Sequence, residues 1–165
     1  MREGVGVRRG SVVRSGSWRT LASGVLGPML VFVGGGLGAL GRYALAAWLD
    51  GHGPLRRAVG PHFPVGTLAV NLSGCLLLGA VAGVLLAHEA EAPARAGPRL
   101  LLVVGILGGF TTFSSFVLEA VNLIEQGRVW HAVGYVLTSN VLGVLAAVGG
   151  GWVAAVVAGG VVGAR

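Results

Sequence analysis

The stretch LGGFTTFSSF, residues 107–116, places glycines, hydroxyl-bearing residues and phenylalanines inside an otherwise apolar run. Gly108 and Gly109 are followed by Thr111 and Thr112, a combination that favours a break in a helix. A break frees backbone carbonyls, which are tolerated at membrane depth only where they line a cavity or bind an ion. The stretch therefore predicts an ion-binding break inside a membrane helix.

Three aromatic residues, Phe110, Phe113 and Phe116, recur at every third position across this predicted break. Such spacing alone is also typical of an aromatic packing stripe. Beside a helix break, however, the rings can present their edges, which carry partial positive charge, to an anion. Asn71 and Ser139 would supply further hydrogen-bond donors, so the pattern favours a site for a small, strongly hydrated anion.

Polar and charged side chains occur in all four apolar runs of the chain, where each is costly unless it pairs or lines a pathway. Serine and threonine can instead bond to their own helix, and Arg42 and Glu119 can extend to the interface or pair. Taken together they indicate a polar line through the protein: Arg42, Asn71, Thr111, Thr112, Ser114, Ser115, Glu119, Tyr135, Thr138, Ser139 and Asn140.

The composition is that of a membrane protein, with 54% hydrophobic and 11% charged residues and a mean hydropathy of +0.81. Crossing the hydrocarbon takes about 20 helical residues, and the runs 25–49, 65–87, 100–124 and 130–158 are long enough. We expect an all-α membrane protein in which four transmembrane helices form a channel domain over 25–160. Residues 1–24 are predicted to be a disordered basic tail, and residues 161–165 a short C-terminal tail.

The net charge of +6 is concentrated at the N-terminus, because five of the twelve basic residues precede position 20: Arg2, Arg8, Arg9, Arg14 and Arg19. Such a tail favours a cytoplasmic N-terminus. No aromatic or basic stripe follows it, so we expect no nucleic-acid partner. Outside the tail the arginines balance, with Arg95, Arg99 and Arg165 on the side of the termini and Arg56, Arg57 and Arg128 opposite.

Enzymatic chemistry finds little support in the sequence. The four histidines lie in or beside predicted loops, and Cys75 is the only cysteine, so we find no nucleophile–base pair and no metal-ligand cluster. The glycine pattern Gly36-x-Gly38-x-x-Gly41 matches a dinucleotide fingerprint formally, but it lies within an apolar span and no acidic residue follows at the required distance. Its small residues are better explained as a helix-packing face.

Four motifs resemble, in order and spacing, the Fluc/CrcB family of small fluoride channels: GGGLGALGRY, VGTLAVNLSG, GILGGFTTFSSF and YVLTSNVLG. The resemblance covers residues 30–150. It implies four helices with a break in the third and an antiparallel, dual-topology dimer with two fluoride pores and one central structural Na⁺. It also implies a multi-pass protein of the plasma membrane that lets fluoride flow passively out of the cytoplasm and so lowers its toxicity.

The resemblance assigns the ion sites to particular residues of this chain. Na⁺ would bind the backbone carbonyls of Gly108 and Thr111. Phe113 and Phe116 would be the pore-facing rings, while Asn71 would donate to fluoride.

Further family positions extend this pathway along the polar line. Ser139 would be a pore hydroxyl and Arg42 would attract anions to the aqueous entrance. Thr67 and Tyr135 match polar lining, and Glu119 matches an acidic residue beyond the rings. Ser115 stands where many relatives have threonine, so a hydroxyl group is kept at this position.

Two alternatives remain open from the sequence. The arginine-rich tail favours one orientation, so the antiparallel partner is either an identical chain or an oppositely oriented homologous subunit. A proton-coupled exporter of the small multidrug-resistance type is the alternative function. Those proteins depend on a glutamate in the first helix, whereas span 25–49 contains Arg42 and no acidic residue.

Overall fold

A computed structural model describes residues 17–52, 54–60, 62–86 and 96–162. Every regular element in these segments is helical. In chain order they are α1 (Ser17–His52), α2 (Pro54–Val59), α3 (Val65–Leu86), α4 (Ala96–Arg99), a π-helix (Leu100–Leu107), α5 (Gly108–Phe110), α6 (Phe113–Glu125) and α7 (Val129–Val162).

Four stretches within these helices are long and apolar enough to cross a membrane, with mean hydropathies between 1.7 and 2.0. They are Gly24–Gly51, Val65–Val84, Gly97–Glu125 and Val129–Val157. The third consists of α4, the π-helix, α5 and α6, so it is the one that is broken. The prediction of an all-α, four-span membrane protein with an interrupted third helix is therefore confirmed.

The first and last helices are longer than the sequence predicted. α1 begins at Ser17 and has 36 residues, roughly 54 Å at 1.5 Å per residue, which exceeds the ~30 Å hydrocarbon core. The segment predicted as a tail is thus helical from Ser17 onward. Residues 1–16 and 163–165 lie outside the described part of the chain.

The π-helix packs against a glycine face of α1. A Cβ at Gly34 would come within 2.7 Å of the Leu101 carbonyl oxygen, and one at Gly38 would collide with the Ile106 carbonyl oxygen. The packing-face prediction therefore holds at Gly38, whereas Gly36 faces open space. The sequence did not predict the π geometry, which is rare in helices and often occurs at functional sites.

α3 and α7 form the most extensive helix pair of the described residues, and small residues bring their backbones together. A Cβ at Gly79 would collide with the Ala147 carbonyl oxygen, and one at Gly150 with that of Leu76. This contact holds Asn71 of α3 and Ser139 of α7 at neighbouring positions along the pair, beside the break in the third span.

A hydrophobic cluster joins α3, α6 and α7 at the end where α6 passes into α7: Leu68, Phe116, Ala120, Leu123, Ala132 and Tyr135. The connecting turn contains Gly127 at a φ of 73°, a left-handed conformation that favours glycine. Phe116 and Tyr135 belong to this cluster and also to the predicted pathway. The cluster therefore fixes two side chains that the function would need.

Candidate functional site

The break in the third span consists of two extended residues between α5 and α6. Thr111 has a ψ of 155° and Thr112 a φ of −144°, whereas Gly108 is helical at a φ of −65°. The break was predicted correctly for the Gly108–Thr112 segment, and within that segment it lies at the two threonines rather than at the glycines. Gly109 instead allows close packing, since a Cβ there would collide with the Gly35 carbonyl oxygen of α1.

Asn71 holds the break open from the neighbouring helix α3. Its Nδ2 donates to the Thr112 carbonyl oxygen at 3.0 Å, and its Oδ1 accepts from the Thr112 backbone N–H at 2.8 Å. A buried backbone N–H or C=O without a partner is costly. The side-chain amide therefore replaces the helical partner that the Thr112 N–H has lost, and it gives a second donor to the Thr112 carbonyl oxygen, which as the N-cap position already begins α6.

The break also releases two carbonyl oxygens. In a continuous helix the Thr112 N–H would donate to Gly108, and the Ser115 N–H to Thr111. Here the Thr112 N–H donates to Asn71, and the Ser115 N–H donates to the Thr112 hydroxyl at 3.2 Å. Gly108 and Thr111, the two positions predicted to bind Na⁺ through their carbonyls, have thus lost their usual helical donors.

A cavity of about 380 Å³ lies beside the break. Its lining comes from α3, the third span and α7: Asn71, Gly74, Cys75, Leu78, Val103, Leu107, Gly108, Thr111, Thr112, Phe113, Phe116, Ser139 and Asn140. Six residues of the predicted site, Asn71, Gly108, Thr111, Phe113, Phe116 and Ser139, therefore meet around one space. Within the described residues, the Ser139 hydroxyl is a buried side-chain oxygen that has no hydrogen-bond partner.

The two predicted pore rings differ in their surroundings. Phe113 is 76% exposed, whereas Phe116 is 8% exposed, and their ring centroids lie 5.7 Å apart. Phe116 also contacts the Tyr135 ring at 5.2 Å. The rings therefore lead from an open position at the cavity to a buried position against α7.

Beyond Phe116 lies a carboxylate cluster formed by Thr67, Glu119 and Tyr135. The Thr67 hydroxyl donates to one Glu119 oxygen at 2.6 Å, and the Tyr135 hydroxyl donates to the other at 2.7 Å. Tyr135 is fully buried, and Phe63 meets its ring edge-on at a centroid distance of 5.6 Å. Three residues that the resemblance placed on the pathway are thus in direct contact.

Ser115 is joined through Thr112 to the wall of the cavity. The Thr112 hydroxyl donates to the Ser115 hydroxyl oxygen at 3.1 Å, which leaves the Ser115 proton available to another acceptor. Thr112 was predicted as part of the break and of the polar line but was given no role at the ion sites, whereas its backbone and hydroxyl organise the break. The sequence signal was its position as a helix N-cap three residues before Ser115.

Arg42 is the predicted residue that remains apart from these groups. It is half-buried on α1 and does not line the cavity, and it forms no ion pair with any residue that the structure describes. The described chain therefore brings together ten of the eleven predicted positions, in two adjoining groups. A role for Arg42 at an aqueous entrance stays a prediction.

Most of the chain is similar to known proteins. A family model described as "CrcB-like protein, Camphor Resistance (CrcB)" matches residues 29–151. A fluoride-specific ion channel FluC from Anaeromyxobacter dehalogenans is 47% identical over 119 residues, covering 72% of this chain and 86% of the relative.

Two further relatives carry the same name. The protein from Pseudomonas putida is 49% identical over 118 residues, which cover 70% of this chain and 86% of the relative. That from Hydrogenobaculum is 39% identical over 117 residues, which cover 71% and 88%. The chain belongs to the CrcB family, a family of fluoride ion channels rather than of enzymes.

Proposed function

We propose that this protein is a fluoride-selective channel of the plasma membrane through which fluoride leaves the cytoplasm passively, lowering its toxic concentration. The observation that carries the proposal is the buried Ser139 hydroxyl without a partner on the cavity wall. Buried polar groups are rarely left unpaired, and an unpaired one indicates an ion or ligand that completes its hydrogen bond. The family names of the relatives agree with fluoride as that ion.

The cavity offers an anion more than one donor. Asn71 uses one amide hydrogen on the Thr112 carbonyl oxygen, which leaves its second hydrogen for another acceptor. The Ser139 hydroxyl can donate from α7, and the edges of Phe113 and Phe116 add partial positive charge. A small anion that gives up tightly held water needs such replacement donors, and hydrogen bonds to ionised groups are stronger than neutral ones.

The carboxylate cluster then shapes the far end of the path. The hydroxyl protons of Thr67 and Tyr135 are both directed at Glu119. Fluoride that reaches this cluster would replace Glu119 as the acceptor of one of these protons. We infer that Glu119 holds the two donors in readiness, and that the Ser115 hydroxyl links them to the cavity.

A structural Na⁺ belongs to the same proposal. The carbonyl oxygens of Gly108 and Thr111 lack their helical donors, and uncharged carbonyl oxygen is a suitable ligand for a hard monovalent cation. The residues present therefore fit the ion. Bound there, Na⁺ would supply positive charge that stabilises the broken third span.

The channel would be completed by a second, antiparallel subunit. The cavity at the break and the 76%-exposed Phe113 both lie on the outer surface of one chain, where polar groups such as Asn71 would otherwise face lipid. An identical chain or an oppositely oriented homologous subunit would cover them. Fusing a topology reporter to the C-terminus distinguishes the two: reports from both membrane sides support an identical chain, and a report from one side a different subunit.

Ion efflux from liposomes containing the purified protein tests the function. We expect fast fluoride efflux without chloride efflux, and slower fluoride efflux for Ser139→Ala. Thr138→Ala is the matched control, because this neighbouring hydroxyl does not line the cavity. Equal fluoride and chloride efflux, or proton-driven uptake of organic cations as in a multidrug exporter, would contradict the proposal.

A further inference from the structure

Asp50, near the end of α1, caps the start of another helix. Its Oδ1 accepts a hydrogen bond from the backbone N–H of Gly66 at 3.1 Å, and Gly66 is the second residue of α3. The first N–H groups of a helix have no partner inside that helix. Asp50 therefore supplies, from 16 residues earlier in the chain, a cap that is normally provided by the residue just before the helix.

The approach is close enough to require glycine. A Cβ at Gly66 would lie 2.5 Å from the second Asp50 oxygen and 2.9 Å from the Ala46 carbonyl oxygen of α1. Arg56 of α2 lies 3.4 Å from Asp50 Oδ1 through its Nη1. Both side chains of this ion pair are more than a third exposed, so the pair itself contributes little. The cap and the backbone contact are what join α1 to α3.

The residue after Gly66 is Thr67, whose hydroxyl donates to Glu119 at 2.6 Å. Thr67 is 7% exposed, so its position follows that of the first turn of α3. We propose that Asp50 is a positioning residue for conduction: it fixes the first turn of α3 and thereby holds the Thr67 hydroxyl on Glu119. This inference rests on the proposed fluoride pathway through the carboxylate cluster.

A charge effect on the ion would give the opposite result for one substitution. If the Asp50 carboxylate acted by repelling fluoride, then Asp50→Asn would speed efflux. If Asp50 acts as a cap, then Asp50→Asn preserves an oxygen acceptor for the Gly66 N–H and efflux stays close to that of the parent protein. Asparagine and aspartate are about equally good caps, whereas alanine is poor.

Fluoride efflux from liposomes is measured for Asp50→Ala, Asp50→Asn, Thr67→Val and the Asp50→Ala/Thr67→Val double variant. Glu125→Ala is the matched control, since Glu125 is an exposed acid at the end of α6, on the same side of the membrane as Asp50. We expect Asp50→Ala to slow efflux about fivefold, the change equivalent to the ~1 kcal/mol of a lost cap. Asp50→Asn and Glu125→Ala should remain near the parent rate.

The double variant separates positioning from general weakening of the fold. If Asp50 acts through Thr67, then Asp50→Ala causes no further slowing once Thr67→Val is present. The same fivefold loss in both backgrounds would overturn the inference, as would faster efflux in Asp50→Asn.

A readout that needs no ion separates this inference from the proposed function. Amide hydrogen exchange at Gly66 should be about fivefold faster in Asp50→Ala than in Glu125→Ala. Unchanged exchange would show that Asp50 does not cap α3, and would refute the inference. Absence of fluoride efflux in the parent protein, with faster Gly66 exchange in Asp50→Ala, would refute the proposed function and the conduction role while leaving the cap in place.

Discussion

Replacing Asn71 by serine tests whether one side chain holds the third span in its broken form. Serine is too short to reach both the N–H and the C=O of Thr112, so the two hydrogen bonds at 2.8 and 3.0 Å are lost. Thr112 is 7% exposed, and water cannot readily replace them. At ~1 kcal/mol for each bond the loss is about 2 kcal/mol, or roughly thirtyfold in an equilibrium.

Two measurements report this loss. Amide exchange at Thr112 should become roughly thirtyfold faster, since Asn71 is the acceptor that protects this N–H. We call the pair of hydrogen bonds between Asn71 and Thr112 the brace. If conduction requires the brace, fluoride efflux should fall by a similar factor. Asn140→Ala is the control, because this asparagine also lines the cavity but, among the residues that the structure describes, donates to the Val136 carbonyl of its own helix, at 2.7 Å, and not to the break. Unchanged exchange and efflux in Asn71→Ser would refute the role of the brace.

Asn71→Asp separates the brace from the anion donor. As a carboxylate, aspartate still accepts from the Thr112 N–H, but it has no amide hydrogen for fluoride and adds negative charge beside the path. Efflux should therefore be slower in Asn71→Asp than in Asn71→Ser. Equal efflux in the two variants would remove Asn71 from the list of donors to the ion.

Three further predictions follow from the same geometry. Phe113→Ile should strongly reduce fluoride efflux because isoleucine lacks the positive edge of the ring. The protein should still fold, since the Phe113 ring is 76% exposed. Unchanged efflux in both Phe113→Ile and Phe116→Ile would mean that the two rings only pack. Gly109→Ala should lower the free energy of unfolding by more than about 1 kcal/mol, on the order of an overpacked core, because its Cβ would collide with the Gly35 carbonyl oxygen. Gly36→Ala is the control and should have no such effect in thermal unfolding, since a Cβ there has nothing within 4 Å. Replacing Na⁺ by choline in the buffer should lower the melting temperature of the purified protein, and an identical temperature in both buffers would contradict a sodium site at Gly108 and Thr111.

Much of the fold could be predicted because membrane spans are encoded by length and apolarity alone. The short connection between α6 and α7 and the break near position 111 could also be recognised locally. The π-helix could not, because Leu100–Leu107 is uniformly apolar and nothing in its side chains favours i+5 over i+4 hydrogen bonds. Its close packing against Gly34 and Gly38 of α1 is a tertiary contact, which the local sequence does not specify.

The candidate site likewise has features that the sequence could predict and features that it could not. Asn71, Phe113 and Ser139 could be proposed from their residue types, since each is unusual in a membrane span. The brace between Asn71 and Thr112 joins residues 41 positions apart, and the contact between Thr67 and Glu119 joins residues 52 positions apart. Sequence patterns report faces and periods, not which side chain from another helix meets a given backbone group, so the bonds from Asn71 to Thr112 and from Asp50 to Gly66 were missed.

The brace on Thr112 also bears on how the chain is made. The backbone N–H of Thr112 at the break is satisfied by a side chain from another helix, and in lipid alone this N–H would lack a partner. We therefore expect the third span to enter the bilayer as an unbroken helix and to break only when it docks against α3. A peptide of residues 97–125 in bilayers should be continuously helical by its amide-exchange protection, and an unprotected Thr112 in that peptide would show that the break forms before assembly.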